Sequence, residues 1–238
     1  MKALAIIGFG PRGLYALERL VYHLAIRKQV ANILVFESNT ELGTGAAWET
    51  EQPDSNLINI TERALIDLPS RPEIVYRNIT IPQFPSYHQW CEFVQNELEP
   101  DTFPPRKKVG KYLLERAKSI INALKSQSGF KLIKTSIKSI DLEDNKLILS
   151  SDNETWKVDD VLLTIGHQST KNSEQLSEWI QYLKANSEIK VYENTYPVSQ
   201  FEYIKNQTNI SISIRGFGLS MIDIMRYLTI NDFGNFKI

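Results

Sequence analysis

The chain opens on KALAIIG, an unbroken apolar run, and then changes period: over 11–28 the apolar positions fall at Leu14, Leu17, Leu20, Val21 and Leu24, the spacing of one helix face. A continuous apolar run suits a parallel strand covered on both faces, so the pattern predicts a buried strand, a helix and, at NILVFE (32–37), a second buried strand. Strand, helix and strand in that order make a βαβ unit. Residues 38–85 are rich in Pro, Asn, Thr and Gly with little periodicity, and a loop of that length in a compact domain usually covers a ligand. Helical spacing returns over 86–98 and over 107–125, where Val109, Leu113, Ala117, Ile120 and Leu124 share a face. From Phe130 the period drops to two, predicting three or four short antiparallel strands that lead into a buried strand at 160–165. Over 172–206 two weaker helical patterns flank a strand-like EIKVYE, and NISISIR (209–215) alternates into a second glycine turn.

The two glycine turns are where chemistry can enter. Gly8-Phe9-Gly10-Pro11-Arg12-Gly13 matches Gly-x-Gly-x-x-Gly between a strand and a helix, and Glu37 closes the following strand. Gly8 suits the tight turn, Gly10 lets a pyrophosphate reach the main chain, and Gly13 allows the helix to pack closely on the strand. The free N–H groups of the helix N-terminus favour phosphate, and a carboxylate at Glu37 can accept from a ribose diol, which suits FAD or NAD better than NADP. The competing reading is a glycine turn kept for packing alone. The second turn, Gly216-Phe217-Gly218-Leu219-Ser220-Met221, has Met221 where a third glycine would stand. Ser220 could donate to a phosphate and Arg215 could add charge, so the turn is either a second nucleotide site or a non-binding turn. Nothing in the sequence separates NAD from NADP there.

Composition removes several classes. A length of 238 residues fits one or two domains, and 42% hydrophobic with 23% charged residues is ordinary for a folded chain. A net charge of -1 argues against a nucleic-acid or anionic-membrane surface, and no apolar run approaches the roughly 20 residues of a membrane span. The single cysteine, Cys91, excludes an intrachain disulfide and fits a cytoplasmic protein; within WCEFV it reads as a buried structural thiol. His23, His88 and His167 are too widely spaced to suggest a metal site and read as surface or packing residues, with His167 also placed for a proton relay. No side-chain arrangement identifies a catalytic nucleophile.

With the strand-terminal TIG bend (164–166) after the antiparallel segment, the order of parts resembles the two-dinucleotide-binding flavoproteins. The stretches IIGFGPRGLYALERL, GTGAAW, FPPRKKVGKYL, YENTYPV and RGFGLSMID resemble the FAD-NAD(P)-binding proteins that include FAD-dependent urate hydroxylase-like enzymes. The resemblance implies an α/β, Rossmann-like FAD/NAD(P)-binding fold with a parallel sheet, a β-meander and the start of a second nucleotide-binding unit, divided at 1–170 and 171–238. It implies that Gly8, Gly10, Pro11, Arg12 and Gly13 hold the FAD pyrophosphate, that Glu37 binds the adenosine ribose, and that Gly43, Gly45 and Trp48 lie along the cofactor. Asn56 and Asn59 would approach the flavin, Arg106 would face the cofactor as a charge partner, and Thr164 and Gly166 would let the chain pass close to FAD. Gly216, Gly218, Leu219 and Ser220 would take the phosphates of NAD(P)H.

The chain departs from the family pattern at Leu17, which is larger than usual, and at Met221; the returning segment with its Gly-Asp pair is also missing, which gives the look of an N-terminal portion. The implied activity is an FAD-dependent oxidoreductase, with NAD(P)H as hydride donor and a small-molecule substrate or O2 as acceptor. A flavin-free NAD-dependent dehydrogenase, a nucleotide-binding module and a fragment inactive by itself remain as alternatives.

Overall fold

A computed structural model describes residues 1–168, 170–184, 188–207 and 209–230. The first two apolar runs form β1 (Ala3–Ile7) and β2 (Asn32–Phe36), joined by α1 (Pro11–Ile26). The chain continues through a hairpin, β3 (Ile74–Tyr76) and β4 (Ile79–Ile81), a single turn α2 (Tyr87–Trp90) and the long α3 (Arg106–Leu124). Five strands follow: β5 (Phe130–Ile133), β6 (Ser139–Glu143), β7 (Lys146–Ser150), β8 (Thr155–Val158) and β9 (Asp160–Leu163). Beyond them lie α4 (Glu174–Leu183), a 3-10 segment at Val198–Asn206 and α5 (Leu219–Thr229).

The main sheet has the order β5-β2-β1-β9, every pairing parallel, and β6-β7-β8 form a separate antiparallel sheet. Alternation along β1 and β2 sorts the faces. Ile6, Ile33 and Val35 enter the larger core with Leu14, Leu17 and Val21 of α1 and Val109, Leu113, Ala117, Ile120 and Leu124 of α3. Ala5, Ile7 and Phe36 face the other way, onto Leu149 and Val158 of the antiparallel sheet, where Trp156 meets Phe36 edge-on at 4.9 Å. Two covered faces are why β1 and β2 are apolar at consecutive positions. The outcome is a three-layer α/β fold with helices, a parallel sheet and a small antiparallel sheet.

Four expectations are corrected. The 38–85 segment is not one irregular loop: it contains 3-10 turns at Ala46–Trp48 and Glu62–Asp67 and the β3–β4 hairpin. The 86–98 helix stops at Trp90. Ser86 and Gln89 form a capping box at its start, and Glu92 takes a left-handed φ of 52° at its end, so that Phe93 N–H bonds to His88 O at 2.9 Å and the two rings stack. β5 joins the parallel sheet instead of the meander. β9, expected to be buried, is an edge strand whose Leu163 is 53% exposed. Two further strands, at 188–193 and 209–215, are not formed among the described residues. Tyr192 and Lys190 pack on Phe201 and Tyr203, and Ile210, Ile212 and Ile214 border a cavity of about 650 Å³ without a ladder partner.

One buried ionic cluster fastens the hairpin side of the molecule to the helices. Glu18 of α1 accepts from Arg71 (2.8 Å) and, through both carboxylate oxygens, from Arg116 of α3 (2.7 to 3.1 Å). Arg71 also donates to Pro82 O and Ser119, and Arg116 to Pro69 O and Tyr112. All three charged side chains are buried, and removing one partner of such a set typically costs roughly 3–5 kcal/mol because charge is left unpaired.

Candidate functional site

β1 delivers the chain to Gly8, whose N–H bonds to Phe36 O at 2.9 Å. Gly8 has φ +87°, and a Cβ there would lie 2.6 Å from Thr164 O; a Cβ on Gly13 would lie 2.4 Å from Gly8 O. The fold therefore demands both glycines. Gly10 differs: its added Cβ would meet only Gly45, at contact distances of 3.4 Å to Cα and 3.6 Å to N. Packing within the chain does not require the middle glycine, and an approaching ligand would.

Gly10 caps α1 without a side-chain partner, and Pro11 occupies the first helical position. The first intrahelical bond is Leu14 N–H to Gly10 O (2.9 Å), so the N–H groups of Arg12 and Gly13 lie ahead of it. Two such donors at the positive end of a helix dipole are an arrangement that favours an anion. Glu37 is buried beside the turn, accepting from Phe9 N–H at 2.5 Å and Asn39 N–H at 2.8 Å. A carboxylate has about four acceptor sites, so two remain for a diol. Thr164 closes the other side: its N–H bonds to Ile7 O (2.8 Å) and its hydroxyl to Gly8 O (2.5 Å).

The 43–45 loop forms the facing wall. Gly43, at φ +83°, donates to Phe9 O, and a Cβ on it would strike Ala117 Cβ at 2.7 Å; Gly45 stands opposite Gly10. Trp48 is half-buried against the main core. Asn56 is 1% exposed, with Nδ2 bonded to Gln52 and Oδ1 unpartnered, whereas Asn59 is exposed. An orphaned buried acceptor costs free energy that a ligand donor would recover. Gly166, at φ +70°, has open space around it.

Arg106, expected to face the cofactor as a charge partner, has protein partners of its own. Its guanidinium bonds to Asp223 Oδ2 (2.6 Å) and Leu57 O (3.2 Å) and sits 5.2 Å over the Tyr196 ring. Tyr196 donates its hydroxyl to the same Asp223 oxygen, and its pKa is raised, first by burial and then by that bond. At the second turn Gly216 has φ +104°, and Gly218 caps α5 with open space around both. Phe217 is 95% exposed, Leu219 is exposed, and Arg215 lies over Trp179 at 5.5 Å.

The first turn, Glu37, Gly45 and Thr164 are thus brought together; Arg106 is joined to the second turn's helix. His167 is exposed, and His88 bonds to Glu62 O. Cys91 is half-buried, its thiol 3.9 Å from Glu62, and burial pushes its pKa up. Sequence reasoning missed three residues. Gly110 lets α3 approach the 46–48 turn, since a Cβ there would lie within 1.9 Å of Trp48 O. Asp223 interrupts the apolar MIDIM run of α5, a signal that was present, and Tyr196 sat within a quoted motif without a role. Among the described residues no group of three His, Cys, Asp or Glu could hold a metal, and no helix is long and apolar enough to cross a membrane.

A family model described as FAD-NAD(P)-binding matches residues 5–168. Nitrosuccinic acid synthase npaA of Aspergillus oryzae is 26% identical over 242 residues, an alignment covering 98% of this chain and 36% of that protein, so the chain spans little more than a third of this relative's length. Among solved structures, Tmm from Pelagibacter sp. strain HTCC7211 superposes with a TM-score of 0.47 at 18% identity, covering 72% of this chain and 38% of its own. The flavin-containing monooxygenase from Stenotrophomonas maltophilia gives a TM-score of 0.41 at 12% identity, covering 72% and 42%.

Proposed function

The chain belongs to the FAD-NAD(P)-binding family, and from that premise we propose that it is the FAD-holding part of an NAD(P)H-dependent flavin oxidoreductase. The observation that carries the reading is Gly10: of the three glycines in the first turn it alone lacks a packing reason, and it borders the helix N-terminus. Arg12 and Gly13 N–H groups would grip the diphosphate, with Pro11 fixing the helix start. Glu37 would accept from the adenosine ribose with the acceptor capacity its two amide bonds leave free. Gly45 and Trp48 would border the cofactor, Asn56 Oδ1 would receive a donor from the flavin end, and Thr164 with Gly166 would keep the main chain close to it. Gly216, Gly218, Leu219 and Ser220 would seat NAD(P)H. FAD, when bound, would supply the redox chemistry that no described side chain offers, accepting hydride from NAD(P)H and delivering electrons to an acceptor such as O2. The protein's share is to bind, orient and exclude water.

A visible absorption spectrum of the purified protein tests this. Flavin bands that bleach under NADH or NADPH without oxygen are the expected result; a colourless protein that also fails to take up added FAD removes the reading. The open surroundings of Gly216 and Gly218 favour a second reading, a flavin-binding module without turnover, for which the bands are present and neither nucleotide bleaches them.

A further inference from the structure

Asp223 is a carboxylate only 4% exposed, one turn into the helix that follows the second glycine turn. It receives the Arg106 guanidinium at 2.6 Å and the Tyr196 hydroxyl on one oxygen. Arg106 in turn begins α3, donates its backbone N–H to Asn56 O (2.8 Å) and its Nε to Leu57 O (3.2 Å). Three residues further along α5, Arg226 donates to Ser55 O at 3.1 Å. Two guanidiniums therefore tie α5 to the 55–57 segment, the segment that also carries the unpartnered buried atoms Ser55 Oγ and Asn56 Oδ1. The apolar contacts of α5 go another way, to Val198 and Phe201 in a cluster separate from both sheet cores. A charge-assisted guanidinium–carboxylate bond adds a directional specificity that apolar contact alone does not supply.

We propose that Asp223, held by Arg106 and Tyr196, is the positioning residue that docks the second glycine turn against the first dinucleotide's unit, fixing where NAD(P)H is presented. The inference rests on the flavoenzyme reading for its functional half, and on the structure alone for its docking half. Asp223 touches neither nucleotide; it acts through α5. Hydride transfer needs its two rings held at contact, so a loosened α5 slows reduction more than it weakens flavin binding.

The test compares Asp223→Asn, Tyr196→Phe and the swap Arg106→Asp/Asp223→Arg with wild type in the full FAD-loaded protein, using Lys107→Ala, at an exposed pair with Asp54, as control. In Asp223→Asn, deuterium uptake over 219–229 should rise about ten-fold or more as the local opening becomes easier, with FAD content unchanged. The limiting rate of flavin reduction by NAD(P)H should fall by about the same factor while dithionite reduction stays complete, and the swap should recover much of both. Tyr196→Phe should give a smaller change in the same direction. Wild-type exchange over α5 in Asp223→Asn overturns the proposal, as does loss of FAD from that variant with α5 protected. If wild type itself takes up no FAD, the flavoenzyme reading fails, and the exchange comparison still decides the docking claim.

Discussion

At the first glycine turn three segments converge: Phe36 O receives Gly8 N–H, the 43–45 loop stands across from Gly10, and Thr164 bonds back to residues 7 and 8. At the second, no described residue beyond their chain neighbours comes within 4 Å of where a Cβ on Gly216 or Gly218 would stand, and Phe217 between them faces solvent. The two turns share Gly-Phe-Gly and then diverge, and each begins with a glycine at positive φ, +87° and +104°. Local sequence thus sets the bend in both places, while the surroundings turn one bend into a walled cradle. The second is held in place through α5, at Asp223, and not at its glycines.

The largest effect that sharpens this contrast is on the cofactor. Gly10→Val should eliminate bound flavin, because a branched side chain fills the space a diphosphate needs, whereas Gly218→Val should leave flavin content at the wild-type level. Equal flavin absorbance in the two purified variants would break the comparison. Next comes stability: Gly8→Ala combines left-handed strain with a 2.6 Å clash against Thr164 O and should cost roughly 2–4 kcal/mol in urea unfolding, against about 1 kcal/mol for the strain alone in Gly216→Ala. Similar midpoints for both would mean the first turn is less crowded than described. Smallest is Glu37→Ala, which should weaken FAD binding by roughly 1.5–3 kcal/mol, the value of a hydrogen-bonded charge, as read by flavin fluorescence titration. An unchanged dissociation constant would remove Glu37 from the site, leaving it only its bonds to Phe9 and Asn39.

Much of the fold was legible where one physical pattern dominates. α1 and α3 follow from apolar spacing, and β1 and β2 from continuous apolar runs that two covered faces require. Legibility failed where the deciding partner was distant. FKLI at 130–133 alternates like the strands after it, and only its pairing with β2 distinguishes it. The end of α2 depends on a glutamate adopting the left-handed turn usually left to glycine, which no propensity announces. Glu18 sits on the buried stripe of α1 as a charge without a visible reason, because Arg71 and Arg116 lie far along the chain. At the candidate site, the glycine spacing and the strand-terminal Glu37 are visible in the sequence, while the pairing of Arg106 with Asp223, which Tyr196 shares, required residues far along the chain to be seen beside it.

Thr164 reaches back across 156 positions to fasten Gly8. A chain emerging from the ribosome exposes its first hexapeptide long before that clasp exists, so the bend can form early but its closing wall arrives only after β9 has been made. Closures of such long sequence separation carry a large loop entropy and form late in folding. On the flavoenzyme reading proposed above, coenzyme capture would be a finishing step of biogenesis, and damage to β9 would show itself as a failure to load at the turn 156 positions before Thr164.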